Sequence, residues 1–290
     1  MGTPRLGNRT DLTGRVVAIT GGAQGIGRCT AEAFLAAGAS VVIGDLDADL
    51  CATAAGELAG NGRTIVGLPL DVTDPDSFEA FYDAAERRVG PIDVLVNNAG
   101  VMPTGLFADE DPATTRLILG VNVEGVMNGS RIATARMRAR GRGHIVNIAS
   151  LAGVASFPGV ATYCGSKHFV VGFTGALERE LTPHGIAVTV VLPGIVKTQL
   201  SAGATMPRAL EAALAVEPEQ VADAIVEAVR RGARQVTVPR RFGVLLALNS
   251  ALPQRIQAVV ERRTGAATAY SQADRAAREQ YHQRLRSQQR

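Results

Sequence analysis

An apolar segment that leads directly into a glycine-rich turn constrains the fold of this chain more than any other feature. Residues 15–20 (R-V-V-A-I-T) are predicted to form a strand of the kind that a buried parallel sheet contains. Residues 20–27 (T-G-G-A-Q-G-I-G) follow, and an alanine-rich helix is predicted after them, to about residue 37. Such a unit binds a pyrophosphate at the start of its helix, where free N–H groups favour an anion. Glycines in this unit would allow the tight turn, the approach of a phosphate and close helix packing; they are Gly21, Gly25 and Gly27.

A second predicted strand, at 40–44, ends at Asp45. An acidic residue at this point accepts hydrogen bonds from the hydroxyls of an adenosine ribose and repels a 2′-phosphate. Neither Gln24 nor Leu46 supplies the positive charge that a phosphate would need. Asp45 therefore favours NAD(H) over NADP(H). The alternative is that Asp45 caps the helix that is predicted to start near Asp47.

Strand and helix patterns continue to alternate along the chain. Further strands are predicted at 63–70, 91–96, 144–149, 186–192 and 235–238, and helices at 75–89, 112–140, 162–182 and 218–231. The alternation predicts an α/β fold, a single-domain Rossmann-type doubly wound parallel sheet of about seven strands with helices on both faces. Ligands of such sheets bind beyond the carboxyl ends of the strands. The residues predicted at those ends are Gly21, Asp45, Asp71, Asn98 and Ser150.

Tyr163 and Lys167 are four residues apart in a predicted helix, so their side chains share one face, one turn apart. Lowering the pKa of a phenol from about 10 to about 7 takes roughly 4 kcal/mol, and a nearby ammonium supplies part of it. Such a tyrosine can exchange a proton with an alcohol oxygen near neutral pH. Lys167 and Lys197 are the only lysines among 30 basic residues, which suggests that position 167 needs a compact cation. The Ser150 hydroxyl is placed to hold the same substrate oxygen.

The predicted helix at 112–140 contains Asn122 between Gly120 and Gly125. These residues are poor helix formers in mid-helix positions. They predict a local break in the helix that has a function, such as holding a water molecule against a backbone carbonyl.

Composition excludes several classes of function. Residues 240–290 carry ten arginines against three acidic residues, a net charge of +7, whereas the whole chain carries +3. The residues before 240 therefore have a negative net charge and do not show the basic character of a nucleic-acid-binding surface. Three cysteines without CxxC spacing indicate neither a disulfide framework nor a zinc site, and none of the four histidines has metal-ligand spacing. The N-terminus lacks the apolar core of a signal peptide, and no apolar run is long enough to span a bilayer. We expect a cytoplasmic protein without a metal site.

Taken together, these motifs resemble the short-chain dehydrogenase/reductase family over about residues 13–240. The motifs are T-G-G-A-Q-G-I-G at 20–27, N-N-A-G at 97–100, Ser150, Y-C-G-S-K at 163–167 and P-G at 193–194. The resemblance implies a Rossmann-fold catalytic domain at 13–239, after an N-terminal tail at 1–12 and before an extension at 240–290. It also implies assembly into a homodimer or homotetramer through the two long helices, 112–140 and 162–182.

The resemblance further implies a catalytic tetrad. Tyr163 would be the acid/base, Ser150 would orient the carbonyl, Lys167 would bind the ribose and lower the tyrosine pKa, and Asn122 would hold a relay water. The cofactor contacts that it implies are Gly21, Gly25, Ile26, Gly27, Asp45, Asp71, Val72, Asn98, Ala99, Gly100, Tyr163, Lys167, Pro193, Val196 and Thr198.

The expected activity is NAD(H)-dependent interconversion of a secondary alcohol and a ketone. Few polar residues occur at 152–158 or in the apolar stretch 200–216, which we interpret as a short lid, so a small apolar, lipid-like or steroid-like substrate is expected. The alternatives are an NADPH-dependent ketone or 3-oxoacyl reductase and a non-catalytic protein that senses NAD(H) or scaffolds partners.

The extension at 240–290 departs from the family pattern. An apolar segment at 242–252 follows Arg240 and Arg241, and an arginine-rich helix pattern begins near Ser271. Basic and apolar segments together suit peripheral contact with an anionic membrane surface. The alternative is a helix packed on a neighbouring subunit or over the substrate cleft.

Overall fold

A computed structural model of the protein describes residues 10–60, 62–196, 215–240 and 242. Thr198, residues 200–214 of the predicted lid and residues 243–290 of the predicted extension lie outside the described residues. Over the described ranges, strands and helices alternate as the sequence predicts.

Seven strands form one parallel sheet. The described strands are β1 (Val16–Thr20), β2 (Ser40–Asp45), β3 (Ile65–Pro69), β4 (Val94–Asn97), β5 (Gly143–Ile148), β6 (Ile186–Pro193), β7 (Ile195–Val196), β8 (Ala215–Val216) and β9 (Gln235–Val238). The sheet has the order β3-β2-β1-β4-β5-β6-β9, so the direction of winding reverses between β1 and β4. The predicted doubly wound sheet is confirmed. The short pair formed by β7 and β8 was not predicted.

The helices also lie where the sequence predicts them. They are α1 (Gly25–Ala36), α2 (Ala48–Leu58), α3 (Pro75–Arg88), α4 (Pro112–Leu119), α5 (Gly125–Arg140), α6 (Ala161–Leu181) and α7 (Pro218–Arg231). The α2 helix is capped by Asp47, whose side chain accepts the Leu50 N–H at 3.0 Å. The alternative in which Asp45 caps this helix is therefore wrong. No helix in the described part of the chain is long and apolar enough to cross a membrane.

Helices cover both faces of the sheet, as β1 shows. Its side chains alternate between the faces, with Val17 and Ile19 packed among α1, α2 and α7, and Val16 and Ala18 among α3, α5 and α6. Every residue of β1 is buried. Burial on both faces explains why this strand lacks the alternation of apolar and polar residues that a half-exposed strand shows.

The side chains of Thr20 and Asn98 join the segments that follow β1 and β4, where the strand order reverses. The Thr20 Oγ1 accepts hydrogen bonds from the backbone N–H groups of Asn98 and Ala99, both at 3.0 Å. In the other direction, the Asn98 side-chain amide donates to the carbonyl oxygens of Thr20 at 2.9 Å and Gly21 at 3.0 Å. These four bonds hold the glycine-rich turn against the loop that follows β4. The sequence analysis did not single out Thr20.

His144, in β5, is a buried histidine with a structural role. Its Nε2 lies 2.7 Å from the hydroxyl oxygen of Thr189, and that hydroxyl donates its own proton to the carbonyl of Ala233. Nε2 must therefore carry a proton and act as donor, which it does in the neutral and in the charged ring alike. Burial lowers the pKa of His144 from 6.5 to about 4.

Thr20→Val should lower the free energy of unfolding by about 2 kcal/mol, because two backbone N–H groups lose their acceptor while the side chain keeps its shape. Thr20→Ser keeps the hydroxyl and is the matched control. Urea unfolding of both variants would measure the difference. Equal losses for valine and serine would contradict this role of the hydroxyl.

His144→Gln should make the free energy of unfolding less sensitive to acid. Because the folded pKa lies below the ordinary value, the stability that depends on the neutral ring is complete above pH 6.5 and is lost as the pH falls towards 4. Between pH 7 and pH 5 the loss from this residue should be about 2 kcal/mol. Urea unfolding at both pH values should show this extra loss in the wild type alone. Parallel losses in the two proteins would contradict it.

Candidate active site

The glycine-rich turn after β1 has a shape that accepts only glycine at its critical positions. Gly21 and Gly25 have φ angles of 62° and 53°. A Cβ atom on Gly27 would lie 2.1 Å from the carbonyl oxygen of Gly21. The α1 helix starts here without a capping side chain and without an acidic residue in its first turn. Its first N–H groups therefore form a cradle that fits a pyrophosphate.

The Asp45 carboxylate lies at the end of β2, beside this turn. Its Oδ2 accepts a hydrogen bond from the backbone N–H of Ala23 at 3.2 Å. Burial raises the pKa of Asp45, against the effect of this hydrogen bond. The Arg28 guanidinium, in α1, pairs with Glu57 at 2.6 Å. The side chain at the end of β2 that contacts the glycine-rich turn is thus a carboxylate.

The loops after β3 and β4 complete the wall of the cradle. The Asp71 Oδ1 accepts hydrogen bonds from the backbone and hydroxyl of Thr73, at 2.8 and 2.7 Å. Val72 is buried against Gly125, where a Cβ atom would lie 2.8 Å from the Val72 Cγ2. The remaining predicted contacts that the structure describes also lie near the strand ends: Ile26 in α1, Asn98 to Gly100 after β4, Pro193 at the end of β6, and Val196 in β7.

Asn122 lies in a π-helical turn, Gly120–Glu124, that separates α4 from α5. Its side chain is fully buried and accepts the Val101 N–H at 2.9 Å. The side-chain amide donates to the Val101 carbonyl at 2.9 Å and to the hydroxyl of Ser166 at 3.1 Å. The predicted helix break at this residue is confirmed. Three hydrogen bonds form this Asn122 clasp, two with Val101 in the loop after β4 and one with Ser166 in α6.

Tyr163 and Lys167 lie one turn apart in α6, and both are buried. The Lys167 Nζ lies 5.7 Å from the centre of the Tyr163 ring and donates to the carbonyl of Ile148 at 3.0 Å. Burial lowers the pKa of Lys167 to about 8, so the amine is still largely an ammonium at pH 7. A Cβ atom on Gly100 would lie 3.3 Å from the Asn122 Oδ1 and 3.6 Å from this Nζ.

Ser150 follows the end of β5 and faces the same region of the sheet edge. Its hydroxyl oxygen accepts the backbone N–H of Ala152 at 3.1 Å. That bond uses the oxygen and leaves the hydroxyl proton available for another acceptor. The structure thus places Ser150 at the carboxyl end of β5, and Tyr163 and Lys167 on the helix that follows it. The fourth predicted tetrad residue, Asn122, lies in the π-helical turn and contacts the loop after β4.

The surroundings of Tyr163 are apolar. Its ring belongs to a buried cluster, and the partly buried ring of Phe157 packs against this cluster. The other members of the cluster are Met102, Ala152, Val160 and Cys164. Within the described ranges, no group of three His, Cys, Asp or Glu residues could hold a metal ion.

The chain is similar to known proteins over most of its length. A profile of the short chain dehydrogenase family matches residues 15–208, more than half of the chain. A crystal structure of a short chain dehydrogenase/reductase from Burkholderia phymatum in complex with NAD matches with a TM-score of 0.76 and 28% identity, over 83% of this chain and 94% of that one.

Two curated relatives are similar in sequence. The probable oxidoreductase EphD of Mycobacterium tuberculosis is 34% identical over 265 residues, which cover 86% of this chain and 45% of EphD. The chain thus spans less than half the length of that relative. A 3-alpha-(or 20-beta)-hydroxysteroid dehydrogenase of the same organism is 38% identical over 190 residues, 66% of this chain and 72% of the relative. The chain belongs to the short-chain dehydrogenase/reductase family.

Proposed function

We propose that this chain is an NAD(H)-dependent oxidoreductase that interconverts a secondary alcohol and a ketone on a small apolar substrate. The observation that carries the proposal is the pairing of Tyr163 with Lys167 at the carboxyl edge of the sheet. An ammonium buried 5.7 Å from the phenol ring favours the ionised form of that phenol. Tyr163 is therefore suited to exchange a proton with an alcohol oxygen near neutral pH.

In the oxidising direction, Tyr163 takes the hydroxyl proton while a hydride leaves the carbon that bears the oxygen. Ser150 donates a hydrogen bond to the same oxygen and holds it as the carbonyl forms. Lys167 stabilises the tyrosinate, and the Asn122 clasp fixes the turn whose backbone carbonyl would hold the relay water. The nicotinamide cofactor, when bound, supplies the acceptor or donor of the hydride.

Two features of this chain support NAD(H) as the cofactor. The Asp45 carboxylate lies beside the glycine-rich turn, where it would accept hydrogen bonds from both ribose hydroxyls and repel a 2′-phosphate. The Burkholderia relative was crystallised with NAD. The residues that we propose hold the cofactor are Gly21, Gly25, Ile26, Gly27, Asp45, Asp71, Val72, Asn98, Ala99, Gly100, Tyr163, Lys167, Pro193, Val196 and Thr198.

An apolar substrate is supported by the cluster around Tyr163. Apart from the Lys167 ammonium, the side chains packed around this phenol are apolar, among them Met102, Val160 and Phe157. Burial of apolar surface there would supply binding energy of about 25 cal/mol per Å². One relative in the comparison is a hydroxysteroid dehydrogenase, which acts on substrates of this kind.

Assembly into a homodimer or homotetramer is supported by apolar side chains on the two long helical segments. Phe169 and Phe173 of α6 stack with their ring centres 5.5 Å apart. Phe169 is 36% exposed and Leu119, at the end of α4, is 40% exposed. A second copy of the chain would remove this surface from water. Membrane contact through residues 240–290 and a cytoplasmic location stay predictions.

Tyr163→Phe should lower turnover of apolar secondary alcohols with NAD by at least about a hundredfold, because the general acid/base is removed. NADH affinity should stay within about twofold, since the ring and its packing remain. Steady-state kinetics on a panel of such alcohols and NADH fluorescence titration would measure both quantities.

Tyr82→Phe is the matched control for this variant. Tyr82 is fully buried, and in the described structure its hydroxyl has no hydrogen-bond partner. Its removal should leave turnover unchanged. Wild-type turnover by Tyr163→Phe would remove Tyr163 from the mechanism, and a wild type that binds NADH without oxidising any alcohol would favour the sensor alternative.

The chain should bind NADH at least about tenfold more tightly than NADPH, a difference of about 1.4 kcal/mol. Asp45→Ser should narrow this ratio, because the carboxylate that repels the 2′-phosphate is removed. Asp47→Ser is the control, since serine can still cap α2 and only a neighbouring charge is lost. Fluorescence titration with each cofactor would measure the ratio. A preference for NADPH, or an unchanged ratio in Asp45→Ser, would contradict the assignment.

A further inference from the structure

The loop between β4 and α4 is fastened to the start of α6 at two points. The Glu110 Oε1 accepts a hydrogen bond from the Thr162 hydroxyl at 2.6 Å and another from the Thr115 hydroxyl at 2.6 Å. Five residues before Glu110, the backbone N–H of Gly105 donates to the carbonyl of Gly159 at 3.0 Å. The loop therefore lies against the segment that leads into α6, and one carboxylate oxygen joins α4 to α6.

The α6 helix has no capping side chain of its own. Val160, at its N-cap, supplies none, and its first turn contains no acidic residue. A carboxylate near the start of a helix stabilises the helix through its dipole. The Glu110 carboxylate reaches this position from the loop, through the hydroxyl of Thr162. Thr162 immediately precedes Tyr163, so the hydrogen bond acts on the turn that carries Tyr163.

We propose that Glu110 is a positioning residue for Tyr163. By holding Thr162 and Thr115 to one oxygen atom, it sets where the first turn of α6 stands relative to the loop and to α4. Placement of this kind matters because a misplacement of about 1 Å can cost about a hundredfold in rate. The inference rests on the proposed role of Tyr163, and Glu110 acts through Thr162 rather than on the substrate.

The same carboxylate couples the loop to the catalytic helix. In the middle of the loop Leu106 and Phe107 are 53% and 66% exposed, so this part has little burial of its own to fix it. The start of the loop is held separately by Asn122, whereas the hydrogen bonds of Gly105 and Glu110 hold the part that approaches α6. Loss of the Glu110 contact would leave that part of the loop less firmly placed against the first turn of α6.

Paired substitutions distinguish the effect of losing the hydrogen bond from other effects of changing the side chain. Thr162→Val removes the hydroxyl and keeps the shape, whereas Thr162→Ser keeps the hydroxyl. Glu110→Ala removes the acceptor, whereas Glu110→Gln keeps an acceptor oxygen. Thr182→Val is the matched control at the other end of α6, where the Thr182 hydroxyl donates to the Glu178 Oε1 at 2.9 Å.

Thr162→Val and Glu110→Ala should each lower kcat by at least about tenfold with NADH affinity within about twofold of the wild type. The double variant should be no slower than the slower single variant, because both substitutions remove the same bond. Thr162→Ser, Glu110→Gln and Thr182→Val should keep kcat within about threefold of the wild type.

A second readout needs no substrate. The chain has four tyrosines and no tryptophan, so the ultraviolet absorption of tyrosinate can be followed against pH. Subtracting the curve of the matching Tyr163→Phe protein isolates the titration of Tyr163. In Thr162→Val the titration curve of Tyr163 should differ from that of the wild type, because the turn that carries the phenol is no longer held in the same place relative to the loop. In Thr182→Val it should not change.

The two readouts distinguish failure of this inference from failure of the proposed function. If no protein turns over any alcohol, the proposed function fails, while the tyrosinate titration still tests Glu110. If Thr162→Val has the kcat and the Tyr163 titration of the wild type, or if Thr182→Val changes them as much, Glu110 does not position Tyr163.

Discussion

The reversal of strand order between β1 and β4 is the constraint on which the rest of this structure depends. In sheets of this kind ligands bind in the crevice that such a reversal opens at the carboxyl edge, and the proposed site residues lie in segments that follow strands on both sides of the reversal. The glycine-rich turn and the loop after β4 stay together at this point because the side chains of Thr20 and Asn98 make four hydrogen bonds between the two segments. These bonds satisfy backbone groups that would otherwise be left unpaired where the two strands diverge. A rigid sheet edge of this kind holds the loops that contain proposed functional residues in fixed positions.

Burial of Lys167 is the second physical feature that gives the site its character. An ammonium removed from water is destabilised unless polar groups surround it, and the lowered pKa shows that part of this cost remains. The Ile148 carbonyl accepts one of its three protons. A tyrosinate or a ribose hydroxyl beside it would satisfy another. The ammonium therefore favours a negative charge close to it, which in the proposed mechanism is the ionised form of Tyr163.

Much of the fold follows from local patterns, whereas the contacts that shape the site do not. Strands, helix starts and the spacing of Tyr163 and Lys167 depend on residues close together in the chain, where periodicity and capping rules apply. The bond between Glu110 and Thr162 joins residues 52 positions apart and has no periodic signature. Asp45 allows two roles in the sequence, because an acid before a helix is a typical cap. Only the backbone path shows that the neighbouring Asp47 makes that contact.

The loop that contains Glu110 is joined to the helix that carries Tyr163 by hydrogen bonds. On the proposed role of that residue, a change in the loop that adapts the cleft to a different substrate also acts on the first turn of α6. The proposed cofactor contacts Asn98 to Gly100 open the same loop, ten residues before Glu110, and the rest of the glycine-rich cradle is built from β1, α1 and β2 on the other side of the strand reversal. Substitutions at the Glu110 end of the loop should then alter kcat while cofactor affinity stays constant.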